Sequence, residues 1–329
     1  MKTLLQTTLF SVLSITCLIV SSSAQSVPDS ITQSGTETVI FKTDSIPNEN
    51  LVPVSDSALE EILITKRSHF EAGISYQSND VYLGRKDSTV LPYFIPEFTY
   101  YHKSGLYVTA SLNYLKNSTF SRIDLITLEG GYKFSIGDYD GLFAVSKYFY
   151  SNQSTSVTSE LKASLDYQNS FDMGFIKPLM EVTLNIGSKL DVAAQLGLEH
   201  SFYLLDSKLD ITPTFMVNAS TQNYYNDYYK KRRYTIKSKT QPPQTGIASI
   251  TGTVIDASTF KILDFEPSLP INYRIGKCTI NFTPTYAIPV HPTTIAVQSV
   301  RQNGTVINRT RTENIENSFY WTVGVSFLF

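Results

Sequence analysis

The final residues of the chain alternate between apolar and more polar side chains. From Phe319 to Phe329 every odd position is apolar, while most even positions carry Tyr, Thr, Gly or Ser, with Leu328 as the exception. A period of two is typical of a β-strand with one apolar and one wetter face. A soluble domain seldom ends on such a strand, because an exposed apolar edge templates aggregation. We therefore expect this strand to be covered and paired.

The same period recurs about a dozen times from Phe70 onward. It predicts an all-β fold, a closed antiparallel transmembrane barrel of about 12 strands, within a range of roughly 10 to 14. No charged residue occurs on the apolar faces, although 17% of the chain is charged. A basic side chain facing lipid at mid-membrane costs about 2–4 kcal/mol. The opposite faces, predicted to line the lumen, carry Glu71, Glu97, Glu129, Lys133, Lys147, Glu160, Lys162, Asp166, Glu181, Asp191, Glu199, Asp210, Asp264, Glu266 and Arg274.

The fifth predicted strand is the least distinct, because both of its faces carry large apolar side chains. We assign its even-numbered face to lipid, since that choice leaves Lys147 in the lumen, where a charge costs less. In the sixth and tenth strands the lipid faces include Leu161 and Leu263. The fifth-strand residues assigned to lipid are Leu142, Ala144, Ser146 and Tyr148, and those assigned to the lumen include Phe143, Val145 and Phe149.

A soluble β-barrel also alternates, with its charged face outside and an apolar interior. Three features favour the membrane instead. Short connections such as Lys103–Ser104 tend to alternate with long ones such as 220–260, as in outer-membrane barrels. An even number of strands places the start of the first strand and the end of the last strand on the same side of the membrane. Each even-numbered strand ends on a lipid-face aromatic residue, which predicts a periplasmic girdle of Tyr100, Phe134, Tyr167, Phe202, Tyr273 and Phe329.

The end of the chain also resembles the C-terminal signal of Gram-negative outer-membrane barrels. The match is a terminal Phe329 with apolar residues at every second position back to Trp321. The resemblance implies an outer-membrane barrel that the barrel-assembly machinery recognises during biogenesis, and it does not specify a subfamily or a cargo. The residues that carry it are Trp321, Val323, Val325, Phe327 and Phe329.

The start of the chain predicts export. Residues 1–24 read as a secretory signal peptide, with Lys2, an apolar core and small residues before Gln25. A membrane-spanning helix is the alternative, but the apolar run is shorter than the roughly 20 residues that a helix needs. A lipoprotein would use Cys17, which has Thr16 before it and lies inside the apolar run.

Residues 25–67 predict a periplasmic linker, and residues 68–329 the barrel. The linker is rich in Ser, Thr, Asp and Pro, without sustained periodicity, which is typical of a disordered segment. Ser57 to Glu60 predict a capping box that opens a short helix through Ile64. Three tripeptides resemble the O-glycosylation motif of Bacteroidota, namely Asp29-Ser30-Ile31, Asp44-Ser45-Ile46 and Asp56-Ser57-Ala58.

Composition excludes several classes of function. Without Lys2 the mature chain has 26 of its 27 basic residues against 29 acidic ones, which gives no reason to expect nucleic acid as a partner. Only Cys278 then remains, so no intrachain disulfide is possible. The four histidines are scattered along the chain, which does not match the spacing of a structural zinc site. We predict no cofactor and no metal.

The longest connection interleaves aromatic and basic residues. Such a surface loop binds a glycan by stacking or contacts lipopolysaccharide phosphates by charge, and the second reading is the simpler one. In the last long connection Asn303-Gly304 predicts a type I′ turn, and thus a β-ribbon that continues beyond the membrane. The residues of the predicted surface patch are Tyr224, Tyr225, Tyr228, Tyr229, Lys230, Lys231, Arg232 and Arg233.

Two motifs raise the question of catalysis. His102-Lys103-Ser104 resembles the His-x-Ser pair of outer-membrane phospholipases and lipid A deacylases, although a nucleophile also needs an oriented base, for which no partner is evident. Asp264 and Glu266 lie two apart on one face, as in a glycosidase or calcium site or a polar barrel filling. We predict a non-enzymatic barrel, either a narrow cation-preferring channel or a surface structural protein. The alternatives are an outer-membrane lipid hydrolase and a secreted soluble β-domain.

Overall fold

The computed structural model of the chain describes residues 67–117, 121–230, 247–301 and 303–329, without the side chains of 247–250. The predicted signal peptide, the linker to residue 66 and the helix within it lie outside the described residues. In chain order the elements are β1 (His69–Gln77), β2 (Val81–Tyr82), β3 (Arg85–Lys86), β4 (Tyr93–Tyr101), β5 (Leu106–Lys116), β6 (Ser121–Ile136), β7 (Tyr139–Tyr150), β8 (Ala163–Phe171), β9 (Lys177–Ile186), β10 (Leu190–Glu199), β11 (Phe202–Leu204), β12 (Leu209–Ile211), β13 (Thr214–Ser220), the helix α1 (Asn223–Tyr229), β14 (Ile247–Val254), β15 (Lys261–Ser268), β16 (Ile271–Ile275), β17 (Cys278–Pro289), β18 (Thr294–Arg301), β19 (Val306–Thr312) and β20 (Ser318–Leu328).

Antiparallel pairing closes most of these strands into one barrel. From β1 the order runs through β4 to β10, then to β13, β15 and β17, and β17 pairs with β20. Three of the barrel strands are interrupted, so each consists of two consecutive short strands: β10 with β11, β12 with β13, and β15 with β16. With each such pair taken once, the barrel has 12 strands, which confirms the predicted fold class.

The last strand closes the barrel against the first. Ala72 pairs with Phe327 across this seam, and Gln77 pairs with Thr322. The backbone N–H of Phe329 donates to the carbonyl oxygen of Phe70 at 2.9 Å. Closure matters in a bilayer, because lipid cannot satisfy the backbone groups of an open strand edge.

The two ends of the barrel differ in their connections. At one end, here called the turn end, the strands are joined by tight turns such as Gly137–Asp138 and Gly276–Lys277. Gly137 and Gly276 have φ values of 60° and 56°, a backbone conformation that favours glycine. β1 begins and β20 ends at the turn end. The opposite end, the loop end, carries the long connections that follow β1, β7, β13 and β17.

The outer face of the barrel is apolar and bounded by aromatic rings. Half or more of the side-chain surface is exposed at Phe98 and Val145, which in a soluble protein would drive association. At the turn end Phe143 stacks on neighbouring rings, and at the loop end Trp321 lies 5.3 Å from the ring of Tyr76. Aromatic girdles at both edges of an apolar band are typical of transmembrane barrels. The predicted girdle residues Tyr100, Phe134, Tyr167, Phe202, Tyr273 and Phe329 all lie on the outer face at the turn end.

The prediction for the fifth strand, β7, is wrong. Lys147 pairs with Leu128 on the outer face and is exposed, and its ammonium group lies 5.8 Å from the centre of the Phe149 ring. Both faces of this strand are apolar, so the hydrophobic pattern had no contrast, and a lysine reaches the membrane interface through its flexible stem. The residues predicted to face lipid, Leu142, Ala144, Ser146 and Tyr148, face the interior, and Phe143, Val145 and Phe149 face outward.

We expect Lys147→Leu to stabilise the barrel in lipid by about 1 kcal/mol, because a charge near the edge of the apolar band costs up to that amount. Urea unfolding of the protein in lipid vesicles measures this change. Lys133→Leu is the matched control, since Lys133 faces the wet interior and gains nothing from lipid. An unchanged or lower midpoint for Lys147→Leu would contradict the outward placement.

Three connections fold back into the loop end and form what we call the plug: the hairpin of β2 and β3, residues 151–162 and α1. The prediction that Leu161 and Leu263 face lipid is wrong. Leu161 belongs to the plug core, and an irregular register near Asn218 leaves Leu263 facing inward, fully buried near Leu83. The plug shares one buried core with strands β14 and β18, and this core comprises Val157, Leu161, Tyr224, Tyr225, Tyr228, Tyr229, Val254 and Ile295.

A second sheet of three strands, β14, β18 and β19, lies at the loop end and packs against the plug through Val254 and Ile295. β18 and β19 pair as the predicted ribbon. Its turn is not the predicted two-residue type I′ turn. The backbone N–H of Arg301 donates to the oxygen of Thr305, and that of Gly304 donates to the oxygen of Arg301, so the turn is longer. Gly304 takes the left-handed conformation at its end, with a φ of 81°.

Among the described residues, no helix is long and apolar enough to cross a membrane.

Candidate functional site

Polar side chains of neighbouring strands form continuous rows on the inner wall. Thr99 pairs with Glu71 and with Thr109, and the row continues through Glu129 to Ser146. Because paired residues project from the same face of a sheet, these rows identify the side chains that face the lumen. Of the predicted lumen residues, those that face inward are Glu71, Glu97, Glu129, Lys133, Asp166, Glu181, Asp191, Glu199, Asp210, Asp264, Glu266 and Arg274.

Three predicted lumen residues lie elsewhere. Lys147 is on the outer face, as described above. Glu160 and Lys162 belong to the connection between β7 and β8 and not to a strand, because the connection turns into the plug and ends at Lys162. Without these three, ten acids and two bases of the predicted set remain on the inner wall. Within the predicted set, the excess of acids over bases on the inner wall is therefore slightly larger than the sequence suggested.

A cavity of about 290 Å³ lies within this inner wall. Its lining carboxylates are held in place by hydroxyl groups. Glu129 accepts hydrogen bonds from the Tyr107 hydroxyl at 2.7 Å and from Ser146 Oγ at 2.9 Å. Asp166 accepts hydrogen bonds from Ser164 Oγ at 2.6 Å and from Thr183 Oγ1 at 2.8 Å. Such bonds leave part of each carboxylate free to attract a cation.

Lys133 is the basic residue of this cavity. Its ammonium group lies 4.8 Å from the centre of the Tyr101 ring and 5.0 Å from that of Tyr107. Attraction between the cation and the two ring faces holds the lysine against the wall. The cavity thus combines carboxylates, hydroxyl groups and one fixed positive charge, which suits small hydrated cations better than anions.

Asp191 on the barrel wall caps the helix of the plug. One carboxylate oxygen accepts hydrogen bonds from the backbone N–H of Asn223 at 2.7 Å and from the Thr221 hydroxyl at 2.6 Å. The other accepts the backbone N–H of Tyr224 at 2.7 Å. These contacts satisfy N–H groups that a helix leaves without an internal partner at its start. Asp191 is fully buried, so the predicted lumen charge serves as an anchor for the plug.

The prediction of a solvated surface patch is wrong for its tyrosines. Tyr224, Tyr225, Tyr228 and Tyr229 are each at most 6% exposed, because α1 turns into the barrel and packs them together. Burial raises the pKa of Tyr224 and of Tyr225 well above the usual range. Lys230 is exposed and lies 3.7 Å from Asp227. Lys231, Arg232 and Arg233 lie outside the described residues.

Polar contacts with the barrel strands and their connections also hold the β2–β3 hairpin of the plug in place. Tyr82 accepts a hydrogen bond from Asn185 Nδ2 at 2.8 Å, and Arg85 Nη2 donates to the oxygen of His291 at 2.9 Å. The turn requires Gly84, since a Cβ there would lie 2.8 Å from Cβ of Asp264. Leu83 and Gly84 both have positive φ, and the X-Gly pair that they form in the sequence is the signal that predicts such a turn.

Asp80 precedes this hairpin and lies among other acids. Burial, with the nearby carboxylates of Asp124 and Asp87, raises the pKa of Asp80 to about 6, although a hydrogen bond with Ser156 opposes the rise. Asp124 is itself bound by Tyr93 at 2.6 Å and by Arg122 at 2.8 Å. Burial next to the plug therefore disfavours the charged form of Asp80, relative to the same side chain in water.

His102 and Ser104, the residues considered for catalysis, lie in one exposed turn. His102 Nδ1 lies 2.8 Å from Ser104 Oγ, and the same nitrogen lies 3.3 Å from the backbone N–H of Ser104, so the imidazole caps an exposed turn. Among the described residues no cluster of three His, Cys, Asp or Glu side chains fits a metal ion. Asp264 and Glu266 face inward beneath the hairpin, where Tyr320 donates to Glu266 at 3.4 Å.

No protein-family model and no curated protein matches the chain. Among solved structures, a KdgM porin aligns with 78% of this chain and 98% of its own, at a TM-score of 0.40 and 6% identity. The COG4313 outer membrane channel from Pseudomonas putida F1 aligns with 80% and 96%, at a TM-score of 0.42 and 9% identity. Omp33 from Acinetobacter baumannii has a TM-score of 0.30 and 9% identity, over 80% of this chain and 100% of its own. Similarity this low does not bear on the function of the chain.

Proposed function

We propose that the chain is a porin-like outer-membrane protein without enzymatic activity, which forms a narrow channel for small cations. The observation that carries this proposal is an acid-rich polar lumen inside a closed barrel with an apolar exterior. Inward-facing carboxylates such as Glu97, Glu129 and Asp166 concentrate cations in a space walled by low-dielectric protein. The plug closes the loop end in the described conformation, so conduction requires the plug to move.

We place the turn end in the periplasm and the loop end at the cell surface. β1 begins and β20 ends at the turn end, which suits a periplasmic linker before β1. The long connections then face the outside of the cell, as is usual in outer-membrane barrels. Lipopolysaccharide and the barrel-assembly machinery are the proposed partners, the latter through the strand that ends at Phe329. The Asp-Ser tripeptides of the linker support a Bacteroidota origin. Protease cleavage of the β18–β19 ribbon only after cell lysis would contradict this orientation.

Planar-bilayer recording of the refolded protein tests the channel. We expect cation preference in a KCl gradient, and the double substitution Glu97→Gln with Glu129→Gln should lower the ratio of cation to anion permeability by about two- to threefold, because it removes two carboxylates from the cavity. The matched control is Asp138→Asn with Glu316→Gln, which removes two exposed acids outside the lumen. If neither the wild type nor a variant with a loosened plug conducts, the channel is excluded and a surface structural role is left.

A further inference from the structure

The sheet of β14, β18 and β19 at the loop end carries positive charge and no negative charge. Residues 294–312, which span β18 and β19, contain Arg301, Arg309 and Arg311 and no acid. The chain as a whole has a net charge of −2, so the acids are concentrated elsewhere. The barrel is acidic inside and carries a basic sheet at its loop end.

The three arginines form a row on one face of this sheet. Arg309 pairs with Val297 and Arg311 pairs with Ile295, which places both on the face that also carries Arg301. Ile295 and Val297 on this face pack against the plug, so the arginines lie beside that contact, with Arg309 and Arg311 on the edge strand β19. All three side chains are exposed. Ile295 and Arg301 are six positions apart on β18, so the row is about 20 Å long at the usual rise of a strand. Within the described part of the chain these arginines have no ion-pair partner.

The chemistry of this row defines its partner. A guanidinium group binds carboxylate, sulfate or phosphate oxygens through two parallel hydrogen bonds and loses little hydration on doing so. Three such groups spaced along one edge fit anions that recur along an extended chain, rather than a single compact ligand. We propose that the arginine face of the β14–β18–β19 sheet binds an acidic polysaccharide. This proposal goes beyond the channel and does not depend on conduction.

Binding of a fluorescent dextran sulfate to the full chain in detergent tests the proposal, with uncharged dextran of the same length as the reference. We expect dextran sulfate to bind and dextran not to bind. The triple substitution Arg301→Gln, Arg309→Gln and Arg311→Gln should weaken binding about tenfold or more at low salt, and make its salt dependence shallower, because fewer counterions are released. Replacement of the same residues by Lys keeps the charge and should retain part of the affinity.

The control variant removes the same amount of charge at the turn end, through Lys103→Gln, Lys208→Gln and Lys277→Gln, all exposed turn residues. It should bind dextran sulfate like the wild type. Equal weakening in both triple variants would show a net-charge effect and overturn the proposal, as would equal binding of uncharged dextran. Displacement by phosphatidylglycerol vesicles but not by unlabelled dextran sulfate would assign the face to a lipid surface. Heat-modifiable gel mobility checks that every variant is folded.

Discussion

Asp191→Ala should open the loop end of the barrel. The substitution removes the acceptor of two helix N–H groups and of the Thr221 hydroxyl. Loss of a cap costs about 0.5–2 kcal/mol, and buried hydrogen bonds to a charged group are worth about 1.5–3 kcal/mol. At seven residues α1 is too short to be stable without such support. We expect a rise of about 30-fold or more in the ratio of open to closed channels, since each 1.4 kcal/mol is a factor of about ten.

Single-channel recording measures this ratio, and folded mobility on gels before boiling shows that the barrel itself survives. Asp166→Ala is the matched control, because it removes an inward-facing acid that the plug does not contact: Asp166 is bound by Ser164 and Thr183. Asp191→Asn should lie between the wild type and Asp191→Ala, since the amide keeps one acceptor. Identical open probabilities for Asp191→Ala and the wild type would exclude the proposed anchoring of the plug.

The open probability should also rise as pH increases from about 4 through about 6, because of Asp80. Its pKa in the closed plug is about 6, above the ordinary value of 3.8 for a solvated aspartate side chain. The closed state therefore binds more protons in this window, so its stability is fully present below pH 4 and declines as pH rises through 6. A difference of this size corresponds to up to about 3 kcal/mol at neutral pH.

The acids that face Asp80 are Asp87 on the same connection and Asp124 on β6, and Arg122 neutralises part of the latter. Asp80→Asn should flatten the pH profile and keep the plug closed at neutral pH, because the amide has no charge to desolvate. Asp256→Asn, at an exposed turn residue, is the control and should leave the profile unchanged. A wild-type open probability that falls between pH 4 and pH 6 would contradict this assignment.

The barrel wall was predictable because lipid imposes a rule that every strand must obey on its own. The alternation from Phe319 to Phe329 specified a strand with one face for lipid, and the six girdle aromatics lie on the outer face as predicted. The rule failed in β7, where both faces are apolar, so the lipid-facing side was assigned from the position of Lys147 alone. At the edge of the apolar band the flexible stem of a lysine lets its ammonium group reach the interface. The charge of Lys147 therefore did not identify the lumen face.

The plug was not predictable by the same reasoning. Interleaved tyrosines and basic residues in a long connection have the composition of a solvated loop, and nothing local distinguishes Tyr224 in water from Tyr224 against the wall. Its burial depends on partners distant in sequence, such as Val157 and Ile295 in the same core. The role of Asp191 likewise depends on a helix start more than 30 residues away along the chain.

The sequence by itself determined the class of fold, the approximate number of strands and most of the residues on each face, because strand periodicity is local and lipid excludes charge from one face. Only the tertiary structure decided which connections enter the barrel, what Asp191 holds, and that Arg301, Arg309 and Arg311 share one face. These features arise from contacts and cross-strand registers between distant segments. Their free energies depend on burial and hydrogen-bond geometry, which residue order alone does not reveal.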